Sequence, residues 1–138
     1  MVFNCSAKYH GKSLNDQILQ GPDLASSLAG VLTRFRQDPV AFMSDFQAMF
    51  HQVRVSPDDC NALRVLWWPD GNMDLEPEKL IMTVHMFGGV SSPSCANFAL
   101  KRTASDNKAR FSPETVETLE CSFYVDDCLK GNSYSPCD

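Results

Sequence analysis

Phe123-Tyr124-Val125-Asp126-Asp127-Cys128 is a short apolar run that ends in two adjacent acids. Aromatic and β-branched residues favour a strand and Asp favours the turn that follows it, so the pair is expected at a sheet margin. Neighbouring carboxylates repel one another until a proton, a cation or water relieves them. A divalent cation would use them as hard oxygen ligands, as Mg2+ does when it also holds phosphates. Water alone would leave an ordinary solvated turn. A second apolar run, Pro39-Val40-Ala41-Phe42-Met43-Ser44-Asp45-Phe46, puts Asp45 at the end of another strand. Two-metal phosphoryl transfer needs carboxylates from separate strands at one sheet edge, which Asp45, Asp126 and Asp127 can supply.

The elements that must position these acids follow from pattern. Gly21-Pro22 stops one segment and Asp23 is placed to cap a helix with Leu24, Leu28, Val31, Leu32 and Phe35 on one face, ending before Asp38-Pro39. Gln47 to Val53 can turn helical after the first acid. Leu63 to Trp68 and Lys79 to Phe87 are expected as a strand pair, with Pro69-Asp70-Gly71-Asn72 as the turn signal between them. Alternation sends Trp67 and Trp68 to opposite faces. Phe87-Gly88-Gly89-Val90-Ser91-Ser92-Pro93 is expected as a loop leading into a helix from about Ser94 to Ser105, where glycines let backbone approach a ligand and the helix start offers free N–H groups. Pro113 to Leu119 suits a short helix and Phe123 to Val125 the returning strand. Residues 1–22 are expected as loop with a strand end at Val2-Phe3, and the tail from Gly131 is polar.

Tyr124-Val125-Asp126-Asp127 resembles the catalytic signature of reverse transcriptases. The stretches Ser13-Leu14-Asn15-Asp16-Gln17 to Gly21-Pro22-Asp23-Leu24, Leu66-Trp67-Trp68-Pro69-Asp70-Gly71 and Phe87-Gly88-Gly89-Val90-Ser91-Ser92-Pro93-Ser94-Cys95-Ala96-Asn97-Phe98 resemble the BEL/Pao group of long-terminal-repeat retrotransposons, and the similarity runs from about Val2 to Lys130. It implies an α+β fold: a partial right-hand polymerase palm with fingers segments, built as an antiparallel sheet backed by helices. Fingers-like segments would lie at roughly 1–22 and 54–91 and palm-like segments at roughly 23–53 and 92–138, with no thumb or ribonuclease H domain in this stretch.

The implied activity is RNA-directed DNA synthesis by a catalytic-core fragment of a retrotransposon polyprotein. Asp45, Asp126 and Asp127 would be catalytic and, with the backbone carbonyl of Phe46, would bind two Mg2+ ions or Mn2+ in their place. Phe46, Phe50, Phe87 and Gly88 would meet the nucleotide, and the Phe50 ring would exclude a 2'-hydroxyl. From its own type and setting, Phe50 is a core residue. Implied partners are an RNA or DNA template with primer, a dNTP and the remaining polyprotein domains, in a cytoplasmic virus-like particle and away from membranes. Asn4 stands where the family more often has Asp, and Gly89-Val90 depart from other retroelement groups.

Composition bounds these expectations. A chain of 138 residues, 43% hydrophobic and 21% charged, is one globular domain or part of one. A net charge of −5 excludes a broad basic surface for nucleic acid, because phosphate neutralisation supplies most non-specific affinity. Six cysteines without a Cys-x-x-Cys pair, and no signal-like N-terminus, point to reduced thiols in an intracellular protein that is not secreted. Leu80 to Leu100 carries no charge, but Gly88-Gly89, Ser91-Ser92-Pro93 and Asn97 break it as a membrane helix. His10, His51 and His85 make no ligand spacing, Pro57-Asp58-Asp59 belongs to solvent, and Lys8 and Lys12 are solvated or touch phosphate. Two other functions stay open: an inactive retroelement remnant or binding module, and a metal-dependent phosphohydrolase that uses the same acids in a closed pocket.

Overall fold

The computed structural model describes residues 3–132, a mixed α+β chain with antiparallel sheets. In chain order the elements are α1 (Leu28–Phe35), β1 (Val40–Asp45), β2 (Arg64–Trp67), β3 (Glu78–Ile81), α2 (Ser92–Asp106), α3 (Pro113–Cys121), β4 (Phe123–Tyr124) and β5 (Asp127–Asn132). Short 3-10 turns fall at Met49–Gln52, Cys60–Ala62 and Pro69–Gly71. The chain divides into two compact units, Met1–Leu19 with Phe50–Ser92 and Gln20–Met49 with Pro93–Asp138.

The second unit holds a three-stranded sheet in the order β1-β5-β4. β5 is central and pairs antiparallel with β1 from Val40↔Asn132 to Asp45↔Asp127, and with β4 through Phe123↔Cys128 and Tyr124↔Asp127. β5 extends well past the acids, into residues expected as the start of a polar tail; residues 133–138 lie outside the described ones. Its sequence Asp-Cys-Leu-Lys-Gly-Asn carries no β-branched or aromatic residue, so pairing on both sides makes it a strand where propensity does not.

α1 and α3 pack on this sheet, and each has a serine at its start. Ser27 Oγ accepts from the Gly30 N–H, and Ser112 Oγ accepts from the Thr115 N–H with Pro113 at the first helical position. Leu28, Val31, Leu32 and Phe35 do share a face of α1, and Val31 is fully buried. α1 does not begin at Asp23, however. Asp23 Oδ1 accepts from the Ala25 N–H, a local turn that competes with helix. The backbone there is tied instead to α2: Ser94 Oγ donates to the Pro22 carbonyl at 2.9 Å and Lys101 Nζ to the Leu24 carbonyl at 2.7 Å. Gly21 sits at φ +78 with Ser94 Oγ 2.7 Å from where a Cβ would be, so this approach needs a glycine.

The first unit holds the β2–β3 pair, in register Arg64↔Ile81 to Trp67↔Glu78. β3 is shorter than Lys79 to Phe87. Met82 N–H donates to Leu63 O, which continues the pairing by one residue, and the chain then changes partners: Val55 N–H donates to Thr83 O and His85 N–H to Val53 O, each near 3.0 Å. Phe3 lies in no strand, and Val2 is outside the described residues. Cys5, Leu63 and Met86 form the buried cluster of this unit, with Phe3, Leu14, Val55 and Met82 packed against it. No helix among the described residues is long and apolar enough to cross a membrane.

Candidate functional site

Antiparallel register brings the acids together along the backbone. Asp45, the last residue of β1, faces Asp127, the first residue of β5. Residues directly opposed in such a pair have Cα atoms about 4.5–5.5 Å apart and side chains on one face. Asp126 lies in the two-residue turn between β4 and β5, and its carbonyl accepts from the Phe46 N–H at 2.8 Å. The segment after the first acid is thereby stitched to the segment before the last. Asp45 and Asp127 are exposed and Asp126 is half-buried.

Two residues of this unit hold a left-handed backbone without being glycine, and both flank the acids. Val125, beside Asp126, has φ +55, and Ala48, three residues after Asp45, has φ +52. A β-branched side chain in that region is a rare and unfavourable arrangement. Such outliers persist where surrounding structure over-determines them, and they cluster at functional sites. The turn type that reverses a strand in two residues with φ above zero at its first position favours glycine there, yet this chain carries valine.

Hard carboxylate oxygens suit Mg2+, and the opposed positions of Asp45 and Asp127 suit a shared cation. The side chains have not gathered around one: no group of three acids, histidines or cysteines among the described residues is arranged to hold a metal ion. The Phe46 carbonyl already accepts the Met49 N–H at 3.1 Å, so a cation would take its second lone pair. Cys128 contributes no thiolate to the site. It is buried on β5, and burial pushes its thiol upward in pKa while a Ser44 hydrogen bond and Lys130 pull the other way. The described cysteines, 5, 60, 95, 121 and 128, are all free thiols. A groove of about 350 Å³ in this unit, lined by residues including Phe42, Leu119, Phe123 and Lys130, is bordered by none of the three acids.

The other candidate residues belong to the first unit. Phe50 is buried and its ring meets Phe87 edge-on, with centroids 4.7 Å apart and planes at 79°. His51 meets the same ring at 5.6 Å. Phe87 itself is 45% exposed, so this aromatic pair has one buried and one accessible member. Gly88 has φ +88, and a Cβ there would come within 3.0 Å of the Phe3 carbonyl oxygen. Trp67 is exposed and Trp68 half-buried, while Pro57, Asp58 and Asp59 are in solvent.

No family model, curated protein or solved structure matches this chain. What the chain does must therefore be argued from its residues and their placement.

Residues missed by sequence reasoning stand behind the loop rather than in the acids. Asn15 bonds the backbone of the Gly88–Val90 segment through both ends of its amide. Its signals in the sequence are its place in the Ser13–Gln17 stretch of the resemblance and the Ser13-x-x-Asp16 frame around it, a pattern that fixes a turn.

Proposed function

We propose that the chain is the catalytic-core portion of an RNA-directed DNA polymerase of a retrotransposon, which adds dNTPs to a primer 3'-hydroxyl with two divalent cations. The observation that carries the proposal is the opposition of Asp45 and Asp127 across β1 and β5, with Asp126 in the adjoining strained turn. Residues from the two ends of a long sequence separation meet at one sheet edge, as two-cation phosphoryl transfer requires. The exposure of Asp45 and Asp127 supports an open edge rather than the closed pocket of a phosphohydrolase. The chain's division into two interleaved units is consistent with fingers-like and palm-like segments alternating along it.

In this reading Asp45 and Asp126 hold the cations, the Phe46 carbonyl assists and Asp127 supports the site. When bound, the ions lower the pKa of the primer hydroxyl and offset charge on the departing pyrophosphate. The protein's part is to fix the carboxylates and to orient the nucleotide. The resemblance gives that second task to Phe46, Phe50, Phe87 and Gly88. Phe50 is buried with its ring edge-on to Phe87, which suits the core role its own type implies and leaves Phe87 as the accessible ring of the pair.

A second reading, a binding module without catalysis, is favoured by the net charge of −5, which gives the chain no excess of cations to neutralise the phosphates of a template. Paramagnetic broadening by Mn2+ separates the two. The polymerase reading expects it first at the amides of residues 45, 46, 126 and 127, and lost in Asp126→Asn; single-nucleotide addition to a primed template under enzyme excess should vanish with it. Broadening that is absent there, or spread evenly over the chain's other acids, removes the polymerase reading.

A further inference from the structure

We propose that Asn15 is the positioning residue of the Phe87–Val90 loop, fixing the backbone that would meet an incoming nucleotide; this rests on the polymerase reading above. The amide of Asn15 is used at both ends. Its Oδ1 accepts from the Val90 N–H at 2.9 Å, and its Nδ2 donates to the Gly88 carbonyl at 3.0 Å and to Ser6 Oγ at 3.1 Å. The partners settle which end is which, since a backbone N–H only donates and a carbonyl only accepts.

The side chain is itself held from behind. Asn15 N–H donates to the Cys5 carbonyl at 3.0 Å. On either side, Ser13 N–H donates to Asp16 Oδ2 at 2.9 Å and Asp16 N–H returns a bond to Ser13 Oγ at 3.2 Å. The Ser13 donors hold the Asp16 carboxyl below its ordinary pKa. Leu14, between them, packs on the buried cluster of Cys5, Leu63 and Met86. Asn15 thus leaves a rigid ring in a set direction.

The loop needs that external pin. Gly88-Gly89 has more backbone freedom to lose than any other dipeptide, and Gly88 occupies φ +88. At its far end, Ser92 Oγ donates to the Met86 carbonyl at 2.7 Å and the Ser92 N–H to the Gly89 carbonyl at 3.1 Å, which holds Gly89 but bonds neither the Gly88 carbonyl nor the Val90 N–H. Only an amide of this length offers a donor and an acceptor together. Aspartate would keep the bond to Val90 but set an anionic oxygen against the Gly88 carbonyl, and alanine would keep neither.

The test uses the full chain, Asn15→Ala and Asn15→Asp, with dTTP and Mg2+ as the probe. Hydrogen exchange at the Val90 amide, which donates to Asn15 Oδ1, should quicken about tenfold in Asn15→Ala, the equivalent of roughly 1.4 kcal/mol, while the β2–β3 amides stay unchanged. Affinity for dTTP should fall about five- to tenfold in both variants, by loss of preorganisation rather than of any contact. Unchanged exchange at the loop overturns the proposal, as does a loosened loop that binds dTTP as tightly as before. Faster exchange throughout β2–β3 in both variants would also overturn it, by making Asn15 a general stabiliser. A wild-type chain that takes no dTTP removes the polymerase reading and the loop's purpose with it, whereas dTTP binding indifferent to both variants removes Asn15 alone.

Discussion

The β2–β3 and β4–β5 pairs are both antiparallel, and both reverse the chain through a left-handed residue. They solve that problem with different chemistry. Between β2 and β3 the connection runs over residues 68–77, and its left-handed positions are Asp70 and Gly71, types that accept φ above zero at little or no steric penalty. Between β4 and β5 the connection is two residues long, and the left-handed position is Val125. Where the chain needs only to return, it uses tolerant residues and an exposed, roomy path. Where an acid must face Asp45, it keeps a short turn and an unfavourable residue two positions before that acid.

The contrast can be broken most severely through the core of the second unit. Leu100 of α2 is 7% exposed, whereas Leu66 of β2 is 64% exposed. Leu100→Ala should cost about 2–4 kcal/mol in urea unfolding, and Leu66→Ala within about 0.5 kcal/mol of nothing. Equal losses would mean that the two regions are held with equal force. Val125→Gly sharpens the comparison. Removing the Cβ from a left-handed position should raise stability by roughly 1 kcal/mol, against the usual direction for glycine, and should weaken Mn2+ broadening at Asp126 as the turn loosens. A destabilised Val125→Gly would show that the turn carries no strain. Ser112→Ala, at the start of α3, should cost about 1 kcal/mol with no effect on the metal signal.

The smallest expected effect is electrostatic and belongs to the first unit. Burial lowers the pKa of His85 below its ordinary 6.5, so the unfolded chain binds its proton more readily than the folded one. Its contribution is fully present above pH 6.5 and lost as pH falls below that value toward the folded pKa. Urea midpoints should therefore drop modestly on acidification through this range, and His85→Gln should flatten that part of the curve.

Much of this was legible beforehand, for reasons that differ by element. β1 ends on Asp45 as its apolar run requires, and α3 starts at the Pro113 that opens its pattern. α2 covers Ser92–Asp106 where a helix from about Ser94 to Ser105 was expected. Local sequence was enough in each case. It failed at residues 23–27, where side chains of α2 capture backbone carbonyls that a helix would have used, and at β5, where neighbours on both sides impose a strand on a weak sequence. For the acids, the run-then-Asp pattern placed Asp45 at the end of one strand and Asp126-Asp127 at the turn after another, but nothing local could give the Asp45↔Asp127 register. Asn15 was hidden because its partners lie more than seventy residues downstream.

Each of the two units is assembled from a pair of non-adjacent stretches, and the changeovers fall at residues 19–20, 49–50 and 92–93. During synthesis the earlier stretch of either unit must wait, unsatisfied, until its complement has left the ribosome. A gene cut between residues 49 and 50 would leave neither body whole, whereas a cut at 19–20 would spare the second and one at 92–93 the first.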